Sequence, residues 1–563
     1  MVVSTAAAPV APELNGFQRV VGVLLFITVW LLLLKDHWRS LPLGRAGGTL
    51  VGAAITVALG LLTPDAALAC INLPTIALLT GCMLISAVMD KRGLFVLLGQ
   101  SLVARGSPLS LLLRVIGVAS VSSALLTNDT TCVILTPVIG RACATRRLHP
   151  APYLIALATA SNIGSACSPI GNPQNMLIAL SSGLSFPKFL GYILISTLVG
   201  TLLNAVYIVF LYRPYLLRGK EYAWSAQQLR ELGMLPVDAG TPQPDAPRVD
   251  ARGGEPATST QQLETVSLAD NAQATASAWW ESTLSDTVPP QGCDAMHSTT
   301  ASQGVNIGAS GASRQRNAAP GLPAYERDAP PSASLPASVT LAPPPSIVAH
   351  TAPAAPGINS IPLVWRVRAT YAILALLPIA LLFADRWIGL SWVTLLAASM
   401  LCVLDGEQPE PLFQRVDAQL LLFFSGLFVV VSGFNATGVP EWVWNLFASG
   451  VSMHTLSGLI LYTVIILVGS NTVSNVPLVL LLSPKIATLG ADAQEAWAQL
   501  AFISTVAGNL TLLGSVANLI VAERAKNFYP LTFSEYLKVG FPATVVICCV
   551  GVPLVTVCAK FVD

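Results

Sequence analysis

Charge is what this chain has least of. Only 10% of its 563 residues are Asp, Glu, Lys or Arg, against about a quarter in an ordinary soluble domain. The two signs nearly cancel at +1, so the electrostatic footprint of a nucleic-acid binder is missing. The five histidines and ten cysteines form no Cys-x-x-Cys pair and no His cluster at ligand spacing, which leaves a zinc site or disulfide framework without support. No Walker A glycine loop is present, so ATP-driven transport would need another subunit. Neither a nucleophile–base pair nor a metal cluster argues for an enzyme, and no cofactor is expected.

Apolar residues, by contrast, make up 53% of the chain, with a mean hydropathy of +0.66. Runs such as "VVGVLLFITVWLLLL" and "LLFFSGLFVVVSGF" approach the length that a bilayer core demands. The expected class is an all-α, multi-pass membrane protein. The first run begins near Phe17 without a basic leader or cleavage motif, and it reads as a retained span. From 213 to 361 the text turns to Pro, Ala, Ser, Thr, Gly and Gln, as in "LPASVTLAPPPSIVAHTAPAAP". Such a segment reads as a disordered linker between two membrane parts, 17–212 and 362–563.

The two parts repeat one another. "TNDTTCVILTP" from Thr127 aligns with "SNVPLVLLLSP" from Ser474, pairing Asn128 with Asn475 and Pro137 with Pro484, each 347 residues apart (475 − 128, 484 − 137). Asn162 of "SNIG" pairs with Asn509 of "GNLT" at the same offset, and after a four-residue slip "GNPQN" matches "GSVAN". "GCMLISAVMDKRG" from Gly81 faces "GLFVVVSGFNATG" from Gly426. Each part then reads as three spans, a pair of short apolar segments joined by a polar tip, one interrupted span and a last span. The pairs, 108–126 with 129–143 and 452–470 with 473–489, fit re-entrant hairpins better than full crossings.

Five crossings per repeat insert the two repeats upside down relative to each other. Lys and Arg then gather on one side, which the positive-inside rule makes the cytoplasm. The expected fold has ten spans, two opposed hairpins, an outside N-terminus and a cytoplasmic linker. Amphipathic stretches at Leu94–Arg105 and Glu441–Gly450 are expected along the interface.

Inverted repeats with interrupted helices are secondary-transporter architecture, with the solute near the midplane. The "SNIGSACSPIGNPQN" stretch breaks its own helix. Pro169 and Pro173 remove donors, Gly164 and Gly171 relax the backbone, and Asn162, Asn172 and Asn175 offer amides in place of a solute's water shell. Asn509, Thr511, Gly514, Ser515 and Asn518 offer the same from the other repeat, and the tips Thr127-Asn128-Asp129-Thr130 and Ser474-Asn475-Val476-Pro477 close over them. One asparagine alone would as readily pair with a neighbouring helix; four polar clusters at related positions favour a site.

Asp129 is a carboxylate at membrane depth, where charge is costly and usually functional. Its counterpart is Val476. The expectation is that Asp129 binds the coupling ion, H⁺, with Na⁺ as the alternative. Asp90, beside Lys91 and Arg92, is expected to be a structural ion-pair partner.

These motifs, together with "STVAGNLTLLGSVANLIVAE", resemble the signature segments of the ion transporter superfamily. They are most similar to its branch of arsenite permeases, plant silicic acid efflux transporters, the P protein and citrate-transporter-like permeases. The resemblance spans both membrane parts and omits the linker. It implies that Asn128, Asn162, Asn175, Asn475, Asn509 and Asn518 belong to the solute and ion region, that a hairpin-bearing part moves against a scaffold, and that the protein is a homodimer. Dicarboxylate carriers of the superfamily carry Ser-Asn-Thr at both tips, whereas these read Thr-Asn-Asp and Ser-Asn-Val, which counts against a dicarboxylate and Na⁺.

With no Lys or Arg at depth to clamp a multiply charged anion, a small hydroxy acid such as silicic or arsenous acid fits the amides best, exported from the plasma membrane by proton exchange. A Na⁺-coupled carboxylate carrier and a passive channel are the alternatives. Cys132 and Cys167 are read as packing residues rather than arsenite ligands.

Overall fold

The structure, a computed structural model, describes residues 14–33, 44–94, 99, 102, 106–234, 363–406 and 410–562. The chain divides into two units, one of which, 288–359, lies wholly outside the described residues. Among the described residues every regular element is helical. In the first membrane part the longer helices are α1 (Gly16–Leu33), α2 (Gly44–Ala58), α3 (Leu73–Lys91), α4 (Pro108–Leu125), α5 (Asn128–Thr145), α6 (Ala151–Ser165), α7 (Pro173–Ser182) and α8 (Phe186–Leu211). In the second they are α9 (Leu363–Leu382), α10 (Leu390–Asp405), α11 (Ala418–Ala436), α12 (Leu456–Val473), α13 (Asn475–Ile486), α14 (Ala493–Ala507), α15 (Val516–Ala525) and α16 (Phe533–Val562).

Capping residues set many of these boundaries. Ser107 and Asn172 accept backbone N–H groups at the starts of α4 and α7, where Pro108 and Pro173 occupy first-turn positions that need no donor. Thr127 does the same for α5, so only Leu126 and Thr127 separate α4 from α5. Helix α13 begins differently. Ser474 has φ +75° with an extended ψ of 159° and makes no side-chain cap, a conformation that glycine adopts readily and that costs another residue about 1–3 kcal/mol.

Helix α6 is buried along its whole length and α14 along nearly all of it, which places both at the centre of the bundle. Around them α4 packs on α6, α12 on α14, and α8 along α16. Farther out one contact is made twice with its partners exchanged. Helix α10 lies on α3, where a Cβ on Gly81 would meet the Thr394 backbone; α2 lies on α11, where a Cβ on Gly426 would meet the Thr49 backbone. Both partners shift by 345 residues (426 − 81, 394 − 49). Glycine lets two backbones approach this closely, as small residues do between helices in membranes.

Eight of the described helices are long and apolar enough to cross a membrane, and both α4 and α12 are among them; α10 and α13 are apolar but shorter. The composition-based linker begins too early. Residues 213–234 hold two short helices, Arg213–Leu216 and Ala226–Glu231, with Leu216 and Leu232 buried. Trp224 Nε1 donates to Leu148 O, and Arg141 Nε to Leu232 O. Scattered aromatic and leucine anchors in a polar text tie this strap down, and a composition average hides them. The rest of the expected linker, like most of Leu94–Arg105 and the N-terminal 13 residues, lies outside the described residues. The second amphipathic stretch forms a helix, Val439–Ala448, with Trp442 and Leu446 exposed.

Asp90 pairs with Arg415 at 2.6 Å, while its neighbours Lys91 and Arg92 reach buried Asp405 at 2.6 and 2.9 Å. These pairs join the ends of α3 and α10 and the turn that precedes α11.

Candidate functional site

The interrupted stretches of the two membrane parts meet. Helix α6 ends at Ser165 and α7 starts at Pro173; α14 ends at Ala507 and α15 starts at Val516. The seven or eight residues between them leave backbone carbonyls with no helical partner, and one asparagine from each following helix turns back to satisfy them. Asn175 Nδ2 donates to Ser165 O and Ser168 O at 3.1 and 3.2 Å. Asn518 Nδ2 donates to Gly508 O and Thr511 O at 2.7 and 3.2 Å. A Cβ on Gly171 would lie 2.4 Å from Ser165 O, and one on Gly514 would lie 2.8 Å from Gly508 O, so both turns require glycine.

Side chains then link one part to the other. Asn162 Nδ2 donates to Asn509 Oδ1 at 2.8 Å and Asn518 Oδ1 at 3.0 Å. Asn162 Oδ1 accepts from Asn128 Nδ2 at 2.9 Å and Ser515 Oγ at 3.0 Å. Asn172 Nδ2 donates to Thr505 Oγ1, which itself donates to Asn175 Oδ1, both at 3.2 Å. All of these side chains are buried, where a lost partner costs the full desolvation penalty.

The bonding pattern follows a second offset beside that of the sequence alignment. Asn162 meets Asn518 and Ser515; the residues that meet Asn175 and Asn172 in the same way are Thr505 twice over. Both sets of partners are thus 343 residues apart (518 − 175, 515 − 172), as are Asn162 and Thr505 themselves (505 − 162). Extending the Gly171–Gly514 match backward without a gap would have found Thr505 and Ser165. Asn471, which donates to Ala507 O and accepts from Thr511 Oγ1, lies in the "SNTVSNVPLVLLL" segment but is not among the residues the sequence singled out; Thr159, whose carbonyl accepts from Asn509 Nδ2, carried no motif signal.

The two tips differ. At the first, Asn128 N donates to Gly171 O at 3.0 Å and its amide joins the web, while Thr127 and Thr130 bond each other. Asp129 is half-buried beside them, and Arg45 and Asp417 are the charges acting on it. At the second, Asn475 is 8% exposed, and its carboxamide oxygen has no hydrogen-bond partner. Its amide nitrogen lies 3.4 Å from where a Gly508 Cβ would sit, at the edge of the web; Ser474 is exposed. Gly164 sits against the Ser120 backbone, where a Cβ would come within 2.4 Å, so it serves packing between α6 and α4. Cys132 Sγ lies 3.1 Å from Ser161 Oγ, and Cys167 Sγ donates to Gly164 O at 3.2 Å; both are buried.

Residues 23–507 match the family model described as citrate transporter (CitMHS). The chain belongs to the citrate transporter family. A silicon efflux transporter of rice (Oryza sativa subsp. japonica), LSI3, is 32% identical over 95% of this chain and 97% of its own length. The human P protein is 24% identical over 85% of this chain, which spans about half (53%) of that relative. The YdaH transporter of Alcanivorax borkumensis, a solved structure, superposes over 97% of this chain and 98% of its own with a TM-score of 0.45 and 15% identity. As a member of the citrate transporter family, the chain is a multi-pass membrane protein of a transporter family, and its conspicuous buried polar feature is the amide web between α6–α7 and α14–α15.

Proposed function

We propose that this citrate transporter family member is an ion-coupled exporter of a small, weakly acidic hydroxy compound, silicic or arsenous acid, and that the amide web with its two tips is the solute site. The observation that carries the reading is the chemistry of the web. Asparagine, serine and threonine side chains from both membrane parts converge there, Asn475 keeps an unpaired acceptor, and among the described residues no basic side chain joins it. A neutral polyol-like acid exchanges its water shell for such donors and acceptors, whereas a citrate-like anion would need fixed positive charge. The silicon efflux function named for the rice relative supports the same choice.

In this reading the two membrane parts are inverted repeats, supported by the exchanged Gly81–Thr394 and Gly426–Thr49 contacts. The segments α4–α5 and α12–α13 are re-entrant hairpins. Asp129 carries the coupling proton. The N-terminus is outside, the linker is cytoplasmic, and the protein acts in the plasma membrane as a homodimer. The test is flux in proteoliposomes of silicic acid, arsenite and citrate, with and without an imposed pH gradient. Uphill movement of the neutral acids under that gradient supports the proposal. Flux only down the solute's own gradient would make the protein a channel, and Na⁺-driven citrate uptake would make it a carboxylate carrier. Transport by Asp129→Asn is expected to lose its dependence on pH; an unaltered pH profile would remove Asp129 from the coupling role.

A further inference from the structure

The 345-residue shift that takes α2–α11 to α10–α3 also takes α1, which packs on α2, to α9, which packs on α10, and there the two sides of the molecule are filled differently. On one side Phe26 of α1 stacks on Phe434 of α11 with ring centroids 4.0 Å apart, and the Trp30 indole donates to Thr472 O beside the second tip. Shifting by the same 345 residues takes Phe26 and Trp30 to Tyr371 and Ala375 of α9 (371 − 26, 375 − 30), and Phe434 to Met89 of α3 (434 − 89). Tyr371, Ala375 and Met89 stand apart around a cavity of about 300 Å³, within the size range of small-ligand pockets. Where one side has two stacked rings and an indole, the other has a void.

The void reaches Leu125 and Leu126 at the first tip and Ser168 in the α6–α7 break. Its walls are otherwise almost wholly apolar. It opens laterally, since Tyr371, Ala375 and Leu125 are exposed, and α9 presents Leu376 and Ile379 to the same exterior. Water gains little from an apolar cavity. A hydrocarbon chain, which surrounds a membrane protein at high concentration, gains dispersion contacts on three sides.

We propose that this cavity is a binding site for the acyl chain of a bilayer lipid, which takes the place that Phe26, Phe434 and Trp30 fill on the other side. The guest lies against the segment that leads into Asn128, so it touches the first tip without entering the amide web. The Tyr371 hydroxyl, which donates to Arg92 O at 3.5 Å, marks the end of the groove nearest the Lys91–Arg92–Asp405 ion pairs and sets the headgroup end there.

The test is photolabelling of the full chain in proteoliposomes with a phosphatidylethanolamine that carries a diazirine in its acyl chain. Adducts are expected in peptides 85–94 and 371–381, above the level on the exposed face of α8. Ala375→Trp, which restores the indole of the other side, should remove that excess; Leu376→Trp, outside the cavity, should keep it. Trp30→Ala should create a new labelled site in peptides 24–33 and 430–436. Uniform labelling of all lipid-facing helices, or an excess that Ala375→Trp leaves intact, would overturn the site. Because labelling needs no transport, the result is independent of the solute and of its coupling ion.

Discussion

The side chains of Asn162 and Asn509 meet at 2.8 Å across 347 residues of sequence, one donating its amide and the other accepting. That bond holds the interrupted helix of one membrane part to that of the other, and Asn162 makes it while bonding Asn128, Asn518 and Ser515 as well. A residue with four buried partners is a joint. Its loss should be felt by both halves.

Asn162→Ala takes an acceptor from Asn128 Nδ2 and the Ser515 hydroxyl, and a donor from the Oδ1 atoms of Asn509 and Asn518, all in a buried setting. At roughly 1–3 kcal/mol for each unsatisfied group, the variant should lose several kcal/mol unless water enters. Thermal denaturation of the detergent-solubilised protein should show a large fall in Tm, and transport should be abolished. A Tm within a degree or two of wild type would show that the web contributes little to the fold.

Gly164→Ala and Gly171→Ala should both fail to give a stable protein, because each new methyl would lie 2.4 Å from backbone that cannot withdraw. Overpacking of this kind costs about 1–3 kcal/mol and sometimes more. Gly117→Ala on α4 is the control, since a Cβ there meets nothing within 4 Å, and a helical alanine gains up to about 1 kcal/mol over glycine. Expression and gel-filtration profiles of the three variants check the ranking.

Asp405 is buried between Lys91 and Arg92, whereas Asp90 and Arg415 are half-exposed. Removing the shared anion of a buried pair costs about 3–5 kcal/mol, while an exposed pair contributes about 0–1. Asp405→Asn should therefore lower Tm markedly and Asp90→Asn barely. Equal effects would contradict the burial argument.

His149 lies in the loop between α5 and α6, ringed by Tyr215, Tyr222 and Tyr529. Burial, aided by the Lys220 charge, pushes its pKa down from 6.5 to about 4. The folded state thus binds fewer protons than the unfolded one, so the strap's contribution is complete above pH 6.5 and declines as pH falls toward 4. Proteolysis within 213–234 should accelerate over that window, and His149→Phe should flatten the dependence. A profile identical in the variant would assign the effect to other groups.

Much of the helix arrangement was legible in the sequence, for reasons visible at single residues. Pro108 starts a helix where expected, the break expected around Pro169 and Pro173 falls between α6 and α7, and the polar "LLTNDTT" text separates α4 from α5. What stayed hidden depended on packing or on local bonding. Nothing in the motif text singles out Thr505, because its place in the web lies in its bonds to Asn172 and Asn175. The strap 213–234 escaped because a few anchors such as Trp224 and Leu232 outweigh a polar average. The void beside Ala375 was equally invisible, since small and large apolar residues read alike in a hydropathy profile.

Asn475 offers the most direct test of the solute site, because its carboxamide oxygen has no protein partner to lose. The measurement is silicic acid movement into proteoliposomes under an imposed pH gradient, wild type beside Asn475→Ala, with Tm recorded for both. A loss of transport by more than about tenfold, at least 1.4 kcal/mol in solute binding or transition-state energy, with Tm nearly unchanged is the predicted result. Full transport by Asn475→Ala would contradict the claim that the tips and the amide web receive the solute.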